Sequence, residues 1–351
     1  MTAAMPATWW HMLRAGLLAL VAGLLLGGAR DGARIDGAVI MAAQPPALLS
    51  SYGFFAGRAD RPVAALIPYN LETPLFSDYA DKSRYIYLPA GTHLAADGDG
   101  MLIFPVGSVI IKNFSFRMAD GSERTVETRL LIHQAGGWVA LPYIWRADGS
   151  DADLRLAGGR FTVDFVHDGQ ARQVSYAVPN RNQCRTCHQR NEVLEPIGPK
   201  WINLVPDARL AAAIGGADLL RRTRAMPRWD DAAAPIDARA RAYLDGNCAH
   251  CHNPAGSASN SGLFLEYDRP MGFATGLWKR PTAAGRGSGG MEYAINPGQP
   301  DQSFLLYRLQ SREPGVEMPE LGRNIVHAEG VRLIRDWIGA MHGGEAPRAG
   351  Q

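Results

Sequence analysis

The sequence predicts an α+β protein, with an antiparallel β-rich N-terminal domain followed by an all-α domain. Three observations carry that expectation. From about Ser50 to Val178, alternating apolar and polar runs are joined by short glycine-bearing turns, the pattern of an antiparallel meander. After residue 190 the runs become rich in Ala, Leu and Arg, and the apolar spacing shifts towards i, i+3, i+4. All four cysteines fall into two C-x-x-C pairs, so no scattered disulfide framework is available and burial must hold the cores together.

Residues 1–29 are expected to be a signal peptide. Arg14 precedes an apolar run from Ala15 to Leu26, and the small residues Gly27, Gly28 and Ala29 follow. Twelve apolar residues fall short of the ~20 that span a bilayer but suit a cleaved export signal. Cleavage near Ala29 predicts a periplasmic protein with no stable membrane span, and an uncleaved N-terminal anchor is the alternative. Residues 30–195 form the expected β domain. Its strands are Ser108–Phe116, Arg124–His133, Trp138–Trp145, Arg160–Val166 and Ala171–Val178, with turns at Asp120-Gly121 and Gly136-Gly137. Residues 196–231 read as a helical linker containing a helix over Asp207–Arg224, weakened at Gly215-Gly216. Residues 232–343 form the second domain, with helices over Ile236–Asp245 and His327–Met341. The latter aligns Val331, Ile334, Trp337 and Ile338 on one face. The G-x-G-x-G of Gly285–Gly289 has no strand before it and no helix after it, so it reads as a loop rather than a phosphate cradle. Residues 344–351 read as a flexible tail.

Composition narrows the function. With 46% hydrophobic and 20% charged residues, wholesale disorder is excluded. The 36 basic and 34 acidic residues leave a net charge of +2, which gives nucleic acid no attracting field.

Each cysteine pair is followed by histidine, in Cys184-Arg-Thr-Cys187-His188 and Cys248-Ala-His-Cys251-His252. That is the attachment pattern for c-type haem. Two thiols one helical turn apart can add to two vinyl groups on one edge of the macrocycle, and the adjacent imidazole reaches the iron. A structural zinc site would want the pairs ~15–20 residues apart, yet 60 residues separate Cys187 from Cys248. No βαβ unit supports a thioredoxin-like dithiol. Two covalently attached haem c groups, with iron on His188 and His252, are therefore expected.

For the second haem, Met318 in Glu317-Met318-Pro319 lies 66 residues after His252 and can supply a thioether to the sixth position. Met271, Met291 and Met341 compete for that role. The first haem has less chain to draw on. Only 59 residues lie between His188 and Cys248, and Pro179 sits in a strand-and-turn stretch before Cys184, so its pocket must come from the β domain. Lys112 reads as a solvent-facing strand residue in preference to a haem contact. Asp78, Lys82, Glu127 and Arg129 read as a surface ion-pair set in preference to a distal pocket. His133 and His167 are sixth-ligand candidates or simply exposed. Met226 imitates a ligand loop within an arginine-rich docking patch, and His250 is expected at an exposed haem edge.

Residues 232–343 resemble a class I cytochrome c domain, through the helix before Cys248, the Met318-Pro319 pair and the C-terminal helix. The stretch Phe104–Lys112, with Trp138, Tyr143–Trp145 and Cys184–His188, resembles cytochrome c-prime-beta and its lysine-crosslinked relatives. That likeness implies a sheet covering the distal face of a five-coordinate haem. The whole chain is similar to a two-haem family of exported bacterial proteins of unassigned activity. The residues that carry this similarity are Thr73–Ala80, Lys82, Arg84, Glu127–Leu131, Ile197–Lys200 and Arg239–Asp245. These resemblances imply a dihaem c-type cytochrome that transfers electrons to and from a redox partner protein. The alternatives are a haem-dependent oxidoreductase, an oxidase or peroxidase of a small molecule, and a gas-binding haem protein.

Overall fold

A computed structural model describes residues 34–98, 100–214, 225–282 and 284–342. The expected signal peptide, the tail after 343 and the second half of the expected linker helix lie outside the described residues, as do three of the four arginines around Met226.

The N-terminal half is built on a six-stranded antiparallel sheet. In chain order its strands are β1 (Ile67–Pro68), β2 (Arg84–Tyr87), then β3 (Ala95–Ala96) and β4 (Leu102–Ile103) as a separate pair, β5 (Val109–Arg117), β6 (Glu123–Gln134), β7 (Gly137–Trp145) and β8 (Ala152–Leu154). The spatial order is β1-β2-β5-β6-β7-β8. A second hairpin, β9 (Gly159–His167) with β10 (Gln170–Val178), packs beside β5. Tight turns with glycine at positive φ, such as Gly121 (81°) and Gly137 (112°), let consecutive strands pair directly.

Period-two alternation gives the sheet two apolar faces. On one, Val109, Ile111, Leu130, Ile132, Leu141 and Tyr143 pack against Leu49, Tyr52, Phe54 and Leu66 of the N-terminal segment, which begins with helix α1 (Gly37–Ile40). On the other, Ile86, Ile110, Leu131 and Ala140 meet Leu204, Leu210 and Ile214, and Cys184 is buried among them. Phe114, Phe116 and Val126 at the sheet's end close on Val163, Phe165, Val174 and Tyr176 of the second hairpin.

The C-terminal half is not the all-α cytochrome c domain that the sequence led us to expect. Antiparallel sheets dominate the described residues, among which helix accounts for about 24% in six short pieces. After α2 (Arg181–Cys187), a small hairpin β11–β12 (Gln189–Arg190, Val193–Leu194) and α3 (Ala208–Ala213) come α4 (Ile236–Leu244), α5 (Phe304–Gln310) and α6 (Ala328–Ala340). Between α4 and α5 the chain runs through one π turn, several 3-10 turns and isolated bridges such as Leu277↔Ile295. The physical reason lies in Pro254, Gly256, Gly262, Pro270, Gly272, Gly276 and Pro281, which interrupt any long helix in this stretch. Helices α4 and α6 do cross, burying Ala240, Tyr243 and Leu244 against Leu333, Ile334, Trp337 and Ile338. The Trp337 indole donates to Asp237 Oδ1 at 2.9 Å.

The segment expected as a helical linker is packed rather than bridging. Only α3 is helical over four residues or more among its described residues. Leu204 pairs with Leu71, and Leu94 N donates to Ala213 O at 2.8 Å. The Thr73–Ala80 segment ties the halves together. Thr73 N donates to Asn203 Oδ1 and Phe76 N to Asn247 Oδ1, each at 2.8 Å, while Asp78 accepts from the backbone of Asn324 and Ile325.

Candidate functional site

The first motif follows directly from strand β10. Pro179 ends the strand, and Asn180 opens α2 with a reciprocal cap. Gln183 N donates to Asn180 Oδ1 at 2.8 Å, and Asn180 N donates to Gln183 Oε1 at 2.9 Å. One helical turn then separates Cys184 from Cys187, and His188 sits at the helix end with its N–H on Cys184 O. His188 Nδ1 is 3.2 Å from Glu195 O.

The second motif repeats this geometry after α4 and a π turn, Asp245–Ala249, that carries Cys248. His252 N donates to Cys248 O at 2.9 Å, and His252 Nδ1 lies 3.3 Å from Ser261 Oγ. In both motifs Nδ1 has a local partner, which leaves Nε2 as the nitrogen free to bind a metal. Burial lowers both imidazoles. His188 falls to about 3, with the Lys112 ammonium as second cause, so the rings are neutral at physiological pH.

Each motif borders a cavity. Cavity one holds about 1050 Å³, counting its mouth, and is lined by Cys184, His188, Ile110, Leu131 and Ala140, with Arg84, Lys112 and Arg129 from the sheet. Cavity two spans about 1510 Å³, open solvent at its mouth included, and is lined by Cys187, Cys248, Cys251, His252, Leu305 and Met318. Met318 is the one methionine that reaches it among the described residues, its backbone N–H fixed on Arg308 O at 3.0 Å. Of its rivals, Met271 and Met341 pack against the helical core, and Met291 lines neither cavity.

The two motifs meet. The Sγ atoms of Cys187 and Cys251 and a ring nitrogen of His250 lie within 4.8 Å of one another, and Asn191 N donates to Ala255 O across the junction. A hydrogen bond from the Cys187 thiol lowers Cys251 to about 4 and raises Cys187, while burial raises Cys248 to about 12. His250, expected at an exposed edge, lines both cavities.

Several sequence expectations need correction. Lys112 is not solvent-facing but lines cavity one. Asp78 and Glu127 are 1% and 0% exposed, so these residues are no surface ion-pair set. Glu127 accepts from Arg129 Nε at 2.6 Å, from Arg129 Nη2 at 2.9 Å and from Tyr176 Oη at 2.6 Å. His133 stacks on Trp138 with Nδ1 near Phe104 O, His167 lies tilted against the Tyr79 ring, and Met226 is buried beside Ala242 and Tyr267. None of the three lines cavity one.

The sequence reading also missed a signal that was there. Arg84, Lys112 and Arg129 each stand two residues from an apolar core residue (Ile86, Ile110 and Leu131), so strand alternation puts all three cations on the buried face.

No protein-family model, curated protein or solved structure matches the chain, so the likenesses drawn from its motifs rest on those residues alone.

Proposed function

We propose that this chain is an exported dihaem c-type protein that transfers electrons to and from a redox partner. Cys184 and Cys187 would hold one haem c and Cys248 and Cys251 the other, with His188 and His252 as iron ligands and Met318 as second ligand in cavity two. The observation that carries the reading is the repeated geometry. Two C-x-x-C-H turns each tie histidine Nδ1 to a local oxygen beside a cavity, and one of those cavities also presents a thioether. Haem iron bound there supplies reversible one-electron chemistry. The protein's part is to orient the imidazoles, exclude water with apolar walls and bring the two cysteine edges together at Cys187 and Cys251. Periplasmic location follows from the attachment chemistry and the N-terminal apolar run. No helix among the described residues is long and apolar enough to cross a membrane.

A second reading, a haem-dependent oxidoreductase or a gas-binding protein, has one observation in its favour. His133, His167 and Met226 all stay outside cavity one, so none of these candidates would reach a haem held on His188 there. Intact-mass measurement of the mature chain tests the foundation of both readings, with two covalently added haem groups expected. Metal bound without porphyrin would instead assign Cys187, Cys251 and His250 to a soft-metal site and end the proposal. Carbon monoxide titration of the reduced protein separates the two readings. About one equivalent per two haems supports an open cavity one, and no adduct leaves electron transfer alone.

A further inference from the structure

Arg84, Lys112 and Arg129 stand directly opposite one another on β2, β5 and β6, on the face that carries Cys184. One row further along the same strands, the residues are Ile86, Ile110 and Leu131. Three cations in register across three adjacent strands repel one another, and burial adds a desolvation cost. Arg84 is only 7% exposed.

Part of this charge is answered within the fold. Glu127 engages both forks of Arg129, and Lys200, also on the cavity wall, pairs with Asp245 at 2.6 Å. Among the described residues no carboxylate forms an ion pair with Arg84 or Lys112. Arg84 donates from Nη1 to Lys82 O at 3.1 Å, and Lys112 Nζ stands 5.1 Å from the Phe114 ring centroid. Neither contact neutralises a charge. Burial, then the Arg84 guanidinium, hold Lys112 well below its ordinary value, so the lysine can shed its proton, but a guanidinium does not escape its cost that way. An anion in the cavity would answer the Arg84 charge and favour the protonated form of Lys112.

We infer that cavity one is a binding site for a small inorganic oxyanion, held by Arg84 and Lys112 with Arg129 behind them. The planar Arg84 fork suits two oxygens of one anion, and the Lys112 ammonium adds a point charge from the next strand. The apolar row of Ile110, Leu131 and Ala140 bounds the space and keeps the field unscreened. The inference rests on sheet register and burial. It goes beyond electron transfer by naming what would sit beside His188.

Haem carboxylates offer the same chemistry, so the test uses the full chain as purified, with its haem content measured first by mass. Calorimetric titration with nitrite, sulfate and phosphate in a low-salt cationic buffer should show saturable binding of at least one, near one equivalent per chain. Lys112→Met and Arg84→Gln should each weaken it about tenfold or more, while Arg335→Gln, half-buried on α6 and paired with Asp301 away from cavity one, leaves it unchanged. Lys112→Met should also raise the melting temperature, since it removes one like charge and keeps the apolar stem. That readout stands even where Arg84→Gln does not fold. Absence of saturable binding for all three anions would overturn the inference and leave the row to covalently held carboxylates. So would binding that survives both variants. Either result leaves the haem count, and with it the proposed function, untouched.

Discussion

Glu127→Gln is the sharpest structural perturbation the molecule offers. The carboxylate is fully buried, accepts two charge-assisted hydrogen bonds from Arg129 and one from the buried Tyr176, and is the anion ion-paired with Arg129 on the cation row. The glutamine keeps the shape and one carbonyl oxygen, but it turns the second acceptor into a donor and leaves Arg129 without its counter-charge. Removing one partner of a buried pair costs about 3–5 kcal/mol. Domains hold about 5–15 kcal/mol in total, so about a fifth of the stability or more should go. Denaturant unfolding at pH 7, followed by tryptophan fluorescence, reads the loss as a fall in midpoint. Adding Arg129→Met to the same chain should recover most of it, because the orphaned charge is then absent. A single-variant loss below about 1 kcal/mol, the range of exposed pairs, would refute the reasoning. So would a double variant worse than the single.

Three further outcomes follow from the geometry. With the two haems proposed above in place, Met318→Ala should change the spectrum of one of them only and lower one of two reduction potentials, read by redox titration, because cavity two loses its thioether. A Cβ on Gly330 would lie 2.3 Å from Tyr243 Oη, so Gly330→Ala should displace that ring and cost about 1–3 kcal/mol. Gly339→Ala on the same helix meets nothing within 4 Å and should be neutral or stabilising, with thermal melting of both variants as the check. Burial holds His327 at about 4, below its ordinary 6.5. The unfolded chain therefore binds the extra proton between those values, and stability present above pH 6.5 is lost as pH falls towards 4. His327→Gln should flatten that part of the stability profile measured by urea unfolding.

Strand positions and the two C-x-x-C-H turns were legible in the sequence because both depend on short-range spacing. Alternation with a period of two marks β5, β6, β7, β9 and β10, and Cys184–His188 and Cys248–His252 each close within a helical turn. The C-terminal half was misread because apolar spacing near Tyr243 and Trp337 reports two real helices but says nothing of the 83 residues between them. There, prolines and glycines set the path. Lys112 and Glu127 were misread for another reason. Propensity places charged strand residues in solvent, whereas which face is buried depends on what packs over it.

By itself the sequence determined the chemistry available: two thiol pairs, two adjacent imidazoles and a thioether at Met318, each fixed by covalent neighbours. Only the tertiary structure decided which of these groups share a space. Cys187 meets Cys251, Met318 faces the cavity of His252, and Arg84, Lys112 and Arg129 line up beside His188. Those contacts join residues far apart along the chain, and only strand register and the docking of Thr73–Ala80 against the C-terminal half bring them together.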